Sequence, residues 1–207
     1  QVYKLALKRR PKNWKLPKKP IKVKLRKSVI EKNNLGYLIY NPRKTLSRAD
    51  RQKRRQLARR MRYYLRKGWT KSYKNLVRSK ETGKLFHTVE LDRSMASLAA
   101  GYYADARDTW AYECASRAIK RSGKYLPEAH WVAALSAWRL ARFSVSYKHF
   151  EAVSNSVYSS PWLVSAGGFW AARASIKIKK PALYVKHLEL ASAYPRTFYG
   201  ILARRLL

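Results

Sequence analysis

Four histidines, one cysteine and eleven acidic side chains carry most of the proton-transfer and metal-binding chemistry open to this chain. His87, His130, His149 and His187 fall in separate helical segments, without an H-E-x-x-H pair or clustered Cys and His. The spacing that closes a zinc site is therefore missing. Glu128 follows Pro127 in a first helical turn, where a negative charge meets the helix dipole. Asp108, Glu151 and Glu189 read as surface or interhelix charges, and no acid and base are paired for proton transfer. No G-x-S-x-G, phosphate-cradling glycine loop or dinucleotide fingerprint occurs. Gly167-Gly168 lies among small residues inside a helix and fits close helix packing. Cys114 stands alone in a helical pattern between Trp110 and Ala118, a packed thiol without a disulfide partner. These residues predict no catalytic site, cofactor or metal within the sequence.

The remaining chemistry is cationic. Lys and Arg number 47 against 11 acids, giving a net charge of +36. Residues 1–84 hold 30 cationic and 3 acidic residues, a net of +27; residues 85–207 hold 17 and 8, a net of +9. The segment RQKRRQLARRMRYYLRK (51–67) concentrates this charge on the polar face of a helix. Arg51, Arg54, Arg55, Arg59, Arg62 and Arg66 are the expected polyanion contacts, with Tyr63 adding stacking or hydrogen bonding. A solvated face is the alternative reading of the same residues. Nucleic acid, anionic lipid and an acidic cell-wall polymer all suit such a charge. No zinc finger, RNP-type strand or KH loop accompanies it, and the apolar stripe lacks bulk for a helix lying on lipid. No apolar run approaches the roughly 20 residues that span a bilayer.

The elements that position these residues are helices. Residues 1–44 combine dense Lys/Arg with Pro11, Pro17 and Pro20, and predict a disordered, largely extended basic arm. Within it, Ile21 to Leu25 alternates as a strand formed on a partner would. From residue 45 the period becomes helical, with Ser47 and Asp50 as a capping box. Leu57, Met61, Tyr64 and Leu65 lie on one face, and Gly68 is the stop. Further helices are predicted after Thr70, from Leu85 to Gly101, over 106–121 with Trp110 inward, and from Pro127, Ser144, Pro161, Pro181 and Thr197. Trp138 with Tyr147 and Phe150, then Trp170 with Tyr184 and Leu188, recur at a spacing of about 32 to 37, near that of helix-pair repeats. The fold class expected for 45–207 is all-α, an α-solenoid or superhelix of stacked short helix pairs, TPR-like.

Three ordered stretches carry a family likeness: PEAHWVAALSAWRLARFSVSYKHFEAV (127–153), SPWLVSAGGFWAARA (160–174) and AYPRTFYGILARRLL (193–207). From about Ser97 onward the chain resembles the helical region of soluble lytic transglycosylases, especially those of alphaproteobacteria. LSRADRQKRRQLARRMRYYLRKGWTKSYKNL (46–76) is similar to their first helix pair, and the arm resembles nothing in them. The resemblance implies a periplasmic superhelix, preceding a lysozyme-like domain that cleaves peptidoglycan with a Glu in an E-S context followed by a G-L-M-Q-like segment. Neither segment occurs here, so no catalytic residue carries over: the resemblance implies either the non-catalytic part of a longer enzyme, whose catalytic domain would lie C-terminal to residue 207, or a shortened relative that kept only the scaffold. The turn after the Trp138 helix, often Gly in the family, is Ala141 here. The implied function is non-catalytic, positioning or binding peptidoglycan, with the basic surface attracting stem-peptide carboxylates. Two rivals are a basic helical-repeat scaffold for nucleic acid and a helical-repeat adaptor that binds protein in a concave groove.

Overall fold

From Arg48 to Leu206 the chain is a succession of helices that double back on one another. The structure is a computed structural model, and it describes residues 2–9, 11, 13, 15–17, 30–32 and 36–207. Among these residues it contains α1 (Val2–Lys8), β1 (Ile30–Lys32), β2 (Leu38–Tyr40), α2 (Arg48–Arg66), α3 (Thr70–Val77), α4 (Lys80–Leu85) and α5 (Thr88–Ala104). The chain continues through α6 (Asp108–Ser122), α7 (Pro127–Arg139), α8 (Phe143–Ser154), α9 (Pro161–Lys177), α10 (Ala182–Ser192) and α11 (Phe198–Leu206). From α5 onward consecutive helices pack on one another, α2 packs on α3 and α3 on α5, and α5 also meets α7 as α9 meets α11. The result is an all-α, solenoid-like stack.

One turn recurs in this stack. Gly68, Ala106, Ala141 and Lys179 have φ of 68°, 59°, 56° and 59°, at intervals of 38, 35 and 38 residues. Each follows the first helix of a pair: α2/α3, α5/α6, α7/α8 and α9/α10. Each helix end is closed by the same two bonds. The left-handed residue donates to the carbonyl three back, as Ala141 does to Trp138 at 3.0 Å. The next residue donates five back: Trp69 to Tyr64, Arg107 to Tyr102, Arg142 to Ala137 and Lys180 to Ser175, at 2.8–2.9 Å. This is the Schellman closure, which satisfies carbonyls that the helix itself leaves without donors. Ala141 thus occupies a position whose backbone favours glycine.

Small residues set how closely the pairs stack. A Cβ on Gly167 of α9 would lie 3.0 Å from the Phe150 carbonyl of α8, and one on Gly168 would lie 3.0 Å from the His187 carbonyl of α10. The core runs as one cluster from Leu57 and Met61 through Leu98 and Ala115 to Val132, then continues around Phe150 and around Leu188. Trp131, Trp138 and Trp170 pack half-buried against it, and Phe169 is buried.

The arm differs from its expectation. Residues 2–8 are helical, because Leu5, Ala6 and Leu7 favour a helix and the first proline comes only at Pro11. Residues 36–44 fold onto the helical body. β2 pairs antiparallel with β1, Leu38 N–H donates to the Val157 carbonyl at 2.9 Å, and Tyr40 stacks on Tyr125 at 3.9 Å. Arg93 donates to the Tyr40 carbonyl at 2.9 Å and Lys44 to the Gly83 carbonyl at 2.6 Å. The alternating segment Ile21 to Leu25 lies outside the described residues. Trp110 was expected inward; it is 52% exposed.

Replacing Ala141 with Gly relieves a left-handed Cβ at the cost of a looser unfolded chain. Urea unfolding is expected to show a gain of roughly 0.5–1 kcal/mol. Gly68→Ala is expected to lose a comparable amount, and a loss on Ala141→Gly would contradict the turn assignment.

Candidate functional site

Ser47 starts the basic helix, its Oγ accepting from Asp50 N–H at 3.1 Å. Leu57 and Met61 are buried and fix the rotation of α2. With that face inward, Arg51, Arg55, Arg59, Arg62 and Arg66 recur at i, i+4, i+8, i+11 and i+15, and all are exposed. They form one stripe about 22 Å long at 1.5 Å per residue. Arg54 does not join it. Its guanidinium pairs with Glu90 of α5 and lies 4.7 Å from the Phe86 ring centre, tying α2 to the start of α5. Glu90 also accepts from His87 N–H at 2.9 Å, within a capping box. Tyr63 is exposed beside the stripe, edge-on to the half-exposed Trp69 at 5.6 Å. The stripe, with these two rings at its end, is a surface able to hold an extended polyanion.

The carboxylates join helices. Glu128 of α7 pairs with Arg93 of α5 at 3.2 Å, and Asp108 of α6 with Arg139 of α7 at 3.2 Å. Arg139 also lies 3.6 Å over the Tyr103 ring. Asp92 is fully buried, pairing with Arg121 and accepting from Ser122 Oγ at 2.6 Å. No group of three or more His, Cys, Asp or Glu able to hold a metal ion occurs among the described residues.

No protein-family model, curated protein or solved structure matches this chain. Among the described residues, no helix is long and apolar enough to cross a membrane.

Two histidines that sequence reading kept apart are brought together. His130 Nδ1 of α7 and His149 Nδ1 of α8 stand 3.0 Å apart, with Tyr112 edge-on to His149. The partial signal for this lay in connectivity: α7 and α8 are antiparallel neighbours joined by a short turn, which can bring a residue of one beside a residue of the other. Burial lowers the His130 pKa; burial first, then the charge of His130, lowers that of His149 to about 4. His187 is lowered as well, chiefly by burial, and its Nε2 is 3.0 Å from the Tyr147 hydroxyl. That hydroxyl also donates to Glu151 at 3.0 Å, and burial followed by Glu151 pushes its pKa up to about 12. Glu151, Tyr147 and His187 resemble a proton relay, but Tyr147 and His187 are buried where α8 packs beside α10. The arrangement joins the two helices.

These shifts fix a pH dependence. The folded histidines resist protonation while the unfolded chain takes up protons near the ordinary histidine pKa of about 6.5. Stability is therefore fully present above that pH and is lost as the pH falls toward about 4, where His149 titrates in the fold. The urea midpoint is expected to drop between pH 7 and pH 5, a window above the ordinary carboxylate range of about 4, and His149→Gln should flatten the drop. A midpoint unchanged over that window would contradict the burial of a neutral histidine pair.

Proposed function

We propose that this chain is the TPR-like superhelical part of a peptidoglycan-turnover protein akin to soluble lytic transglycosylases, and that it holds the wall polymer rather than cleaving it. One observation supports this most. Two of the stretches that carry the family resemblance meet in a single packing lock. Thr197, of the T-F-Y-G stretch, caps α11 by accepting from Gly200 N–H at 3.0 Å, and donates to Ser165, of the S-A-G-G stretch in α9, at 2.8 Å. Gly200 itself admits no side chain, since a Cβ there would fall 2.0 Å from the Tyr194 carbonyl. This contact supports the reading because it joins two of the stretches that carry the resemblance.

On this reading the protein works in the periplasm. Cleavage belongs to a lysozyme-like domain of the kind the resemblance implies, and the exposed arginines of α2 attract carboxylates of the stem peptides. The second reading, a nucleic-acid scaffold, is favoured by one feature: the α2 stripe carries five exposed arginines with no acid among them.

Purified peptidoglycan sacculi and bulk RNA, presented side by side at about 50 and 200 mM salt, separate the two. Retention on sacculi at both concentrations is expected, with RNA binding falling by orders of magnitude as released counterions are opposed. RNA retained at the higher salt, with no binding to sacculi, would overturn the wall reading in favour of the nucleic-acid one.

A further inference from the structure

A second basic feature lies away from the α2 stripe. Two cavities of about 460 and 400 Å³ open between α3 and α6, and both are bordered by Arg117. Lys71, Lys74 and Arg78 follow one another at i, i+3 and i+7 along α3 and its C-cap, so they share a face. Across the cleft, Trp110, Arg117 and Lys120 share a face of α6 at i, i+7 and i+10. Lys71, Lys74, Arg78 and Lys120 have no ion-pair partner among the described residues. Arg117 is held only by Glu113, at 3.8 Å, with both side chains more than half exposed.

The cations converge. Cys114 is buried at the floor, and burial raises its thiol pKa against the pull of Lys74, Arg117 and Arg78; Glu113 adds to the rise. Lys71, Lys74 and Arg117 border the cavity that Trp110 and Cys114 line, and Arg78, Arg117 and Lys120 border the neighbouring one. At its other end Trp110 is half exposed, with Tyr102 edge-on at 5.6 Å and Arg107 5.2 Å from its ring centre. The cleft runs about 16 Å along α6 from Trp110 to Arg121, at 1.5 Å per residue.

We infer that this α3/α6 cleft binds the carboxylate-bearing stem peptides of peptidoglycan, with Trp110 as the platform for an adjoining sugar ring. The inference rests on the wall reading above. Its geometry favours that ligand over single-stranded nucleic acid, which is tracked by an unbroken cationic groove with successive stacking rings. Here there is one exposed ring, and Glu113 interrupts the cations between it and Arg117. A sugar bearing a peptide with spaced carboxylates matches one ring and one convergent cluster.

The test titrates the whole chain with a soluble disaccharide-tetrapeptide muropeptide by calorimetry, circular dichroism verifying the fold of each variant. Lys74→Glu with Arg78→Glu is expected to weaken binding about tenfold or more, as loss of charge-assisted contacts does. Trp110→Ala should weaken it about three- to tenfold. The charge-matched control Lys186→Glu with Arg205→Glu, at exposed positions of α10 and α11, should leave it unchanged, and amidating the peptide carboxylates should mimic the cleft variant. If sacculi retain the unsubstituted protein but the cleft variants bind muropeptide normally, the cleft assignment is overturned and the wall reading stands. If the unsubstituted protein binds neither sacculi nor muropeptide, both fail. If RNA competes for the cleft and muropeptide does not bind there, the ligand class is wrong.

Discussion

The helical stack depends on a single backbone conformation used four times. Gly68, Ala106, Ala141 and Lys179 each turn left-handed at the end of the first helix of a pair. Each sends the chain back antiparallel through the same two hydrogen bonds. Only one of the four is glycine, so three of these turns hold a Cβ in a region that L-residues rarely adopt. Packing between the paired helices offsets that strain. Leu98, Ala115, Phe150 and Leu188 are fully or almost fully buried, and burial of this kind is worth about 1.5–3 kcal/mol for each large apolar side chain.

The exposed positive charge of the first two pairs is carried by α2, α3 and α6, with Arg51, Arg55, Arg59, Arg62 and Arg66 on the stripe and Lys71, Arg78, Arg117 and Lys120 along the α3/α6 cleft. The later pairs carry less charge and more small residues: Gly167, Gly168 and Ala172 let α8, α9 and α10 approach closely. The two ends of the stack thus differ, the first carrying exposed charge and the last joining α11 to α9 through Thr197 and Ser165.

Much of this was legible in the sequence, and the reasons for the rest are physical. Pro127 and Pro161 at the first helical position, Ser47 and Thr197 as caps, and Gly68 as a stop each act through a local bond or a fixed dihedral, so they read directly. Gly101 misled, because it lies inside α5 against Leu65 and the true stop, Ala106, has no glycine to announce it. Helix α4, only six residues long, is too short to show a period. Trp110 belongs to an apolar pattern yet faces the cleft, since periodicity reports the apolar face and not what covers it. Arg54 sits in the basic run but is taken up by Glu90, a partner 36 residues away that no local rule supplies. The same distance problem hid the His130–His149 pair.

On the function proposed above, the first two helix pairs meet the wall polymer while the last ones support them. Hydrogen–deuterium exchange of the whole chain, with and without soluble peptidoglycan strands, is the measurement that decides this. Slower exchange is expected across α2, α3 and α6, with α9, α10 and α11 unchanged. Protection confined to α9–α11, or none at saturating ligand, would contradict the account.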